Sequence, residues 1–155
     1  MSDKIGLGLM MAKALAGSGA KAVYILGRRE ASLQAAVGVH PSITPIVCDV
    51  TSKSSLEKAV EIVTQEVGYV NLVIANSGIL GPTACFDPTK SIRELRKAMF
   101  DEVTMSDFTQ TFHVNVTGAY FTMLAFLDLL DAGNKEAIKG GYGAPLNQGS
   151  QVPSI

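Results

Sequence analysis

Cysteine is scarce in this sequence, and the scarcity excludes two scaffolds. Only Cys48 and Cys85 occur, both in apolar surroundings and neither in Cys-x-x-Cys or Cys/His spacing. Neither a metal centre nor a disulfide framework is expected, and both read as reduced core thiols of a cytoplasmic protein. An excess of one charge is also missing: 13 basic and 14 acidic residues are spread along the chain, for a net charge of -1. That balance offers no electrostatic ground for binding nucleic acid or an anionic membrane, and points instead to small-molecule or protein partners. No apolar run approaches the roughly 18 residues needed to cross a bilayer. Lys4, Ile5 to Ala12 and Ala14-Leu15-Ala16 imitate a secretion signal, but Lys13 interrupts the apolar stretch, and an amphipathic helix accounts for it better. Asn115-Val116-Thr117 matches a glycosylation acceptor; it falls inside an expected buried helix and is read as chance.

What is present suits one domain with a real core: 155 residues, 47% hydrophobic, with a mean hydropathy of +0.26. Leu7, Met10, Met11, Ala14 and Leu15 repeat at helical spacing, and Gly17-Ser18-Gly19 ends the run. Ala22 to Leu26 predicts a strand, Ala31 to Val37 a helix, and Ile43 to Val47 a second strand. Ser54-x-x-Glu57 predicts a capping box for a helix whose face is Leu56, Ala59, Val60, Val63 and Val67, stopped by Gly68. Val70 to Ala75 is almost wholly apolar, the pattern of a parallel strand covered on both faces.

Gly81 to Asp101 predicts a surface loop with a short helix. A longer helix is expected from Thr104 or Ser106 to about Leu130, with Phe108, Phe112, Asn115, Ala119, Met123, Leu127 and Leu130 on its inner stripe. Residues 133–155, rich in Gly, Asn, Gln, Ser and Pro, predict an irregular tail. Strands alternating with helices at these lengths predict a doubly wound α/β fold on a parallel sheet. No repeat or linker divides residues 1–155.

Gly6-x-Gly8 before a helix is the half of a glycine-rich loop that lets backbone approach a pyrophosphate. By itself it reads more readily as two loop glycines before a helix. The first strand ends in Gly27-Arg28-Arg29, about 20 residues on, where a dinucleotide fold reads the adenosine ribose; Arg suits a 2′-phosphate there.

With these motifs in order, the sequence resembles the short-chain dehydrogenase/reductase family, particularly fungal members with a Gly-Leu-Met-Met-Ala-Lys-Ala-Leu helix and a Leu-Gly-Arg-Arg turn. Gly6-Leu7-Gly8 resembles the end of the family's Thr-Gly-x-x-x-Gly-x-Gly loop, and Arg28 stands where NADP-preferring members bind phosphate. Cys48-Asp49-Val50 resembles the adenine site, with the Asp49 side chain and the Val50 amide as its contacts. Asn76-Ser77-Gly78 is similar to the Asn-Ala-Gly turn that borders the cofactor. Asn115, in His113-Val114-Asn115-Val116, matches the Asn of the catalytic tetrad. The resemblance implies a Rossmann-like fold, NADP(H) as cofactor and a carbonyl or alcohol substrate. Each residue also has a plainer reading. Asp49 can be a cap or turn residue beside Thr51 and Ser52, and Asn76 a turn former. Asn115 can be a satisfied core Asn, where the resemblance implies a helix-kinking residue that holds a water for proton relay. His40 and His113 read as structural or exposed. Phe121 to Leu130 reads as core, or as the helix through which family members pair into homo-oligomers.

Two features of the family pattern are not found in these residues. Ser2 stands where the glycine loop has its first Gly, with no strand before it, and the catalytic Ser and Tyr-x-x-x-Lys are missing. Tyr24, Tyr69, Tyr120 and Tyr142 are followed four residues on by Arg28, Val73, Leu124 and Leu146, and Ser150 and Ser154 lie in the tail. The expectation is therefore an incomplete domain, without the first strand and the C-terminal half, that binds NADP(H) but does not turn over by itself. The alternative is a non-enzymatic interaction or assembly module derived from a reductase.

Overall fold

The computed structural model of the chain describes residues 6–82 and 87–139, without the side chain of Val37. Its centre is two parallel strands, β1 (Val23–Gly27) and β2 (Ile43–Val47), in register Val23 to Ile43 through Gly27 to Val47. The helix α2 (Glu30–Val37) connects them, so β1, α2 and β2 form one βαβ unit. Successive β1 side chains point to opposite faces, and each face is covered. Val23 and Ile25 pack with Ile43 against Ala12 and Ala16 of α1 (Leu7–Gly17). Tyr24 and Leu26 pack with Ile46 and Cys48 against Leu56, Ala59 and Val63 of α3 (Lys53–Glu66), and against Phe126 and Leu129. Helices on both faces of a parallel sheet make the doubly wound α/β arrangement that the alternation of elements predicts.

The inner face of α1 differs from the expected one. Leu7 and Met10 are exposed, while Ala12 and Ala16, four residues apart, are buried. Small side chains let this helix lie close on the sheet, so the tightest contact falls on the least hydrophobic stripe. α1 ends as expected, with Gly19 at φ +95.

α3 begins at Lys53, with Ser52 as its cap: the Ser52 hydroxyl accepts the Ser55 N–H at 3.3 Å. The expected Ser54/Glu57 box is not used. The motif occurs instead at Ser91 and Glu94, where both reciprocal hydrogen bonds form and open α4 (Ile92–Arg96). A π-helical turn, Lys97–Asp101, continues α4.

Val70 to Ala75 is not a strand. A strand exists only through a partner, and among the described residues none pairs with this segment. Its first amide is taken elsewhere, Val70 N–H donating to the Leu129 carbonyl at 2.9 Å. Leu72 and Ile74 are 56% and 46% exposed, so the expected covering of both faces is also not met.

The long helix after Thr104 is broken rather than continuous. It comprises α5 (Met105–Phe112), a π-helical segment His113–Gly118, α6 (Ala119–Ala125) and α7 (Leu127–Ile138), with a 49° bend between Ala125 and Leu127. Its buried side is Val114, Gly118, Thr122, Phe126, Leu129 and Gly133, whereas Phe108, Phe112, Asn115, Met123 and Leu127 are exposed. The expected inner stripe is mostly the outer one. The sequence is apolar nearly all round here, and the π turn resets the register on which any stripe is counted. Thr122 sits inside because its hydroxyl donates to the Gly118 carbonyl, one turn back, at 2.7 Å.

α7 also continues to Ile138, past the expected start of the irregular tail at 133. Gly133 is a contact rather than a stop: a Cβ there would run into the Val70 carbonyl oxygen. Residues 140–155, residues 1–5 and Cys85 lie outside the described part. Cys48 is the expected buried thiol, and burial pushes its pKa up. No single helix among the described residues is long and apolar enough to cross a membrane.

Candidate functional site

The C-terminal ends of β1 and β2 lie side by side, the Cys48 N–H donating to the Gly27 carbonyl at 2.9 Å beyond the last paired residues. Arg28 leaves one strand and Asp49 the other at that edge. Asp49 is a turn residue: its Oδ1 accepts the Thr51 N–H at 2.9 Å and the Thr51 hydroxyl at 2.7 Å, and its own N–H donates to Ser55 Oγ at 2.9 Å. The Thr51 hydroxyl and then the Thr51 amide hold the Asp49 carboxyl below the usual carboxylate range, and the charges of Arg28 and His113 lower it further. The plainer reading of Asp49 is thus met, and it leaves Oδ2 without a hydrogen bond among the described residues.

The glycine loop reaches the same edge. Gly6 is the extended cap of α1 without any side-chain cap bond, and the first turn carries no acidic residue. Its carbonyl accepts Leu9 N–H at 3.0 Å and Met10 N–H at 3.3 Å. A Cβ on Gly8 would stand 2.7 Å from Asn76 Nδ2, so the missing side chain leaves room for the Asn76 amide against α1. Asn76 N–H donates to the Ile74 carbonyl, closing that turn. A Cβ on Gly78 would in turn meet Asn115 Oδ1 at 3.2 Å.

Asn115 is central to the π segment. Its Oδ1 accepts the Ile79 N–H at 2.8 Å and its Nδ2 donates to the Ile79 carbonyl at 2.9 Å. Both ends of the amide therefore clamp the turn to the helix. Asn115 and Thr117 are exposed rather than in the expected buried helix, and the clamp is what occupies the Asn of the chance glycosylation match.

Every expected site residue therefore lies along one rim: Gly6, Leu7 and Gly8, then Arg28, then Asp49 and Val50, then Asn76, Ser77 and Gly78, with Asn115 behind. Gly8, Asp49 and Val50 are half-buried and the others exposed. Polar groups with glycine-opened backbone at this edge are the donor set a phosphate-bearing nucleotide fits.

One part of the rim is not legible in the motifs. A shallow groove of about 220 Å³ runs beside Val50, lined by Val50, Thr51, Lys53, His113, Thr117 and Phe121. Gly118 lets the helix settle on Val50, where a Cβ would stand 3.1 Å from Val50 Cγ2. Lys53 Nζ lies 4.5 Å over the Phe121 ring. His113, expected to be structural or exposed, is exposed and close enough to Asp49 for its charge to be felt there. No spacing in the sequence signals this, because the two residues belong to distant segments that meet only in the fold.

A family model described as short chain dehydrogenase matches residues 3–140. The short-chain dehydrogenase/reductase SAT3 of Stachybotrys chartarum is 61% identical over 146 residues, covering 94% of this chain and 54% of that protein. The short-chain dehydrogenase/reductase VdtF of Byssochlamys spectabilis is 43% identical over 139 residues, covering 85% and 45%. Among solved structures, the NADPH-bound carbonyl reductase from chicken fatty liver has the same fold, with a TM-score of 0.67 at 21% identity over 85% of this chain and 50% of that one. The chain spans about half the length of the proteins it matches.

Proposed function

The chain belongs to the short-chain dehydrogenase/reductase family, and on that premise we propose that its rim holds the adenosine and pyrophosphate part of NADP(H). The α1 N-terminus with Gly6, Leu7 and Gly8 receives the pyrophosphate, Arg28 the 2′-phosphate, and Asp49 with the Val50 amide the adenine. Asn76, Ser77 and Gly78 border the cofactor toward its nicotinamide end. The observation that carries this reading is the close fit of Gly8 against Asn76, where a Cβ would displace the Asn76 side-chain amide. Arg28 supports it, because no ion pair engages its guanidinium among the described residues.

The cofactor, when bound, supplies hydride to a carbonyl or takes it from an alcohol. Asn115 positions the Ile79 turn, and the π segment widens the helix around its backbone carbonyl. We assign that carbonyl the proton-relay water. The catalytic Ser and the Tyr-x-x-x-Lys pair are not among these 155 residues, so the chain alone is assigned cofactor binding without turnover.

Titration of the 155-residue chain with NADPH and NADH tests the cofactor assignment. Saturable binding that favours NADPH, with the preference lost in Arg28→Ala, is expected; equal affinities in the unaltered chain would sink it. Carbonyl-dependent NADPH oxidation by the purified chain would sink the claim of no turnover.

An interaction or assembly role is a second reading, favoured by the exposed Tyr120, Met123, Leu124 and Leu127 on α6 and the start of α7. Light scattering on a sizing column decides it: a homo-oligomer supports pairing through this helix, and a monomer at all concentrations removes it.

A further inference from the structure

Residues 71–75 present an open backbone edge. None of their N–H groups donates a hydrogen bond among the described residues, whereas groups beside them are engaged: Val70 N–H donates to the Leu129 carbonyl, and the Ile74 carbonyl accepts Asn76 N–H. In extended backbone, residues two apart send these groups to the same edge. The edge shared by Val70, Leu72 and Ile74 is therefore partly taken. The edge of Asn71, Val73 and Ala75 is open in donors and acceptors alike among the described residues. Half-buried Val73 packs against the core and holds the segment in place, while Leu72 and Ile74 stay 56% and 46% exposed. We infer that this segment pairs antiparallel with the same segment of a second copy of the chain.

An open row of donors and acceptors is a template for another strand unless charge or proline guards it. No charged residue lies between Glu66 and Asp87, and no proline between Pro45 and Pro82. An identical copy therefore meets no local repulsion, and a net charge of -1 adds little between whole chains. The order of residues also suits a copy. An antiparallel two-fold pair centred on Val73 sets Asn71 against Ala75, so that the open N–H and carbonyl groups face one another. The same pair sets Leu72 against Ile74 of the copy, at the closely spaced positions between hydrogen-bonded pairs. Both exposed apolar side chains are then covered. This surface differs from the α6 and α7 face considered above, and the inference is independent of the cofactor reading.

Sedimentation equilibrium over a concentration series, on the unaltered chain, Leu72→Lys, Ile74→Glu and Leu127→Lys, tests the inference. The unaltered chain is expected to self-associate. Leu72→Lys and Ile74→Glu should each weaken association about tenfold, through two lost cross-strand apolar pairs, and Leu127→Lys should leave it unchanged. An equimolar mixture of Leu72→Lys and Ile74→Glu should associate more tightly than either alone, because opposite charges then face each other across the pair. Leu72 and Ile74 are exposed, so the core is kept, which far-ultraviolet circular dichroism checks. Hydrogen exchange on the unaltered chain needs no variant: the amides of Asn71, Val73 and Ala75 should slow as concentration rises. A monomer at every concentration overturns the inference, as does a mixture no tighter than its components or exchange at Val73 that ignores concentration. Association kept in Leu72→Lys but lost in Leu127→Lys overturns it and leaves the helix reading standing.

Discussion

Asn115 and Ile79 are joined by two hydrogen bonds in opposite senses, 2.8 Å from the Ile79 N–H to Oδ1 and 2.9 Å from Nδ2 to the Ile79 carbonyl. A side-chain amide matches a peptide group in this way much as one strand matches another. The pair ties the turn after Gly78 to the π segment, 36 residues away in sequence. Asn115→Ala removes both bonds and is expected to cost about 1–3 kcal/mol, since each net bond contributes about 0.5–1.5 kcal/mol. Asn115→Asp keeps the acceptor and places a carboxylate against the Ile79 carbonyl, so it should not restore stability. Urea unfolding of both variants checks this; an Asp variant as stable as the original chain would refute the two-way clamp.

Gly133→Ala separates helix preference from packing. In an exposed helix the change stabilises by about 1 kcal/mol. Here the new methyl meets the backbone carbonyl of Val70, which cannot turn aside as a flexible side chain would. Overpacking of this kind costs about 1–3 kcal/mol or more. A lower thermal midpoint is expected, with loss of the Val70 to Leu129 hydrogen bond; a raised midpoint would contradict the close contact.

Ser52 and Ser54 offer a second reversal of a local rule. Ser52→Ala removes the cap of α3 and should cost about 1 kcal/mol, whereas Ser54→Ala should stay within about 0.5 kcal/mol. Denaturant midpoints of the two single variants decide between them. Equal losses would restore the Ser54 box that the spacing suggests.

Tyr24 titrates late. Its hydroxyl donates to Glu66 Oε2 at 2.8 Å, and burial, followed by that bond and the Glu66 charge, pushes its pKa from 10.0 up to about 12. A folded-state pKa above the unfolded one means that protonated Tyr24 stabilises the fold. The contribution is complete below pH 10.0 and is lost as pH rises through about 12. Absorbance titration of tyrosinate should show one late phase that disappears in Tyr24→Phe, and that variant should lose less stability between those pH values than the original chain. A late phase that persists in Tyr24→Phe would refute the assignment.

Much of the frame is legible in local pattern. The bounds of α1, β1, α2, β2 and α3 follow from runs of apolar residues punctuated by Gly17-Ser18-Gly19, Gly27, His40-Pro41 and Gly68, because those punctuators act on their own neighbours. The meeting of Arg28 and Asp49 is legible once β1 and β2 are taken as parallel neighbours, since loops at the same ends of parallel strands must meet. Gly8, Asn76 and Asn115 join them through contacts between a helix, a turn and a π segment. His113 escapes that reasoning. Its place beside Asp49 depends on packing between distant segments that no spacing announces.

The faces of the helices are a different matter, and they show where sequence stops. Periodicity tells a helix that it has a stripe, but where residues are apolar nearly all round, as from Phe121 to Leu130, the pattern offers no choice of side. Packing chose Phe126 and Leu129 for the core and left Met123 and Leu127 outside. For α1 it chose Ala12 and Ala16 over the larger Leu7 and Met10, because closeness to the sheet outweighs the area of a side chain held further off. Val70 to Ala75 has every local mark of a strand, yet a strand is a relation between two segments and this one has no partner among the described residues. The sequence by itself thus determined the order of elements and the residues available at the rim. The tertiary structure decided which faces are buried, which segments pair and where His113 points, because each depends on a second surface that no window of sequence contains.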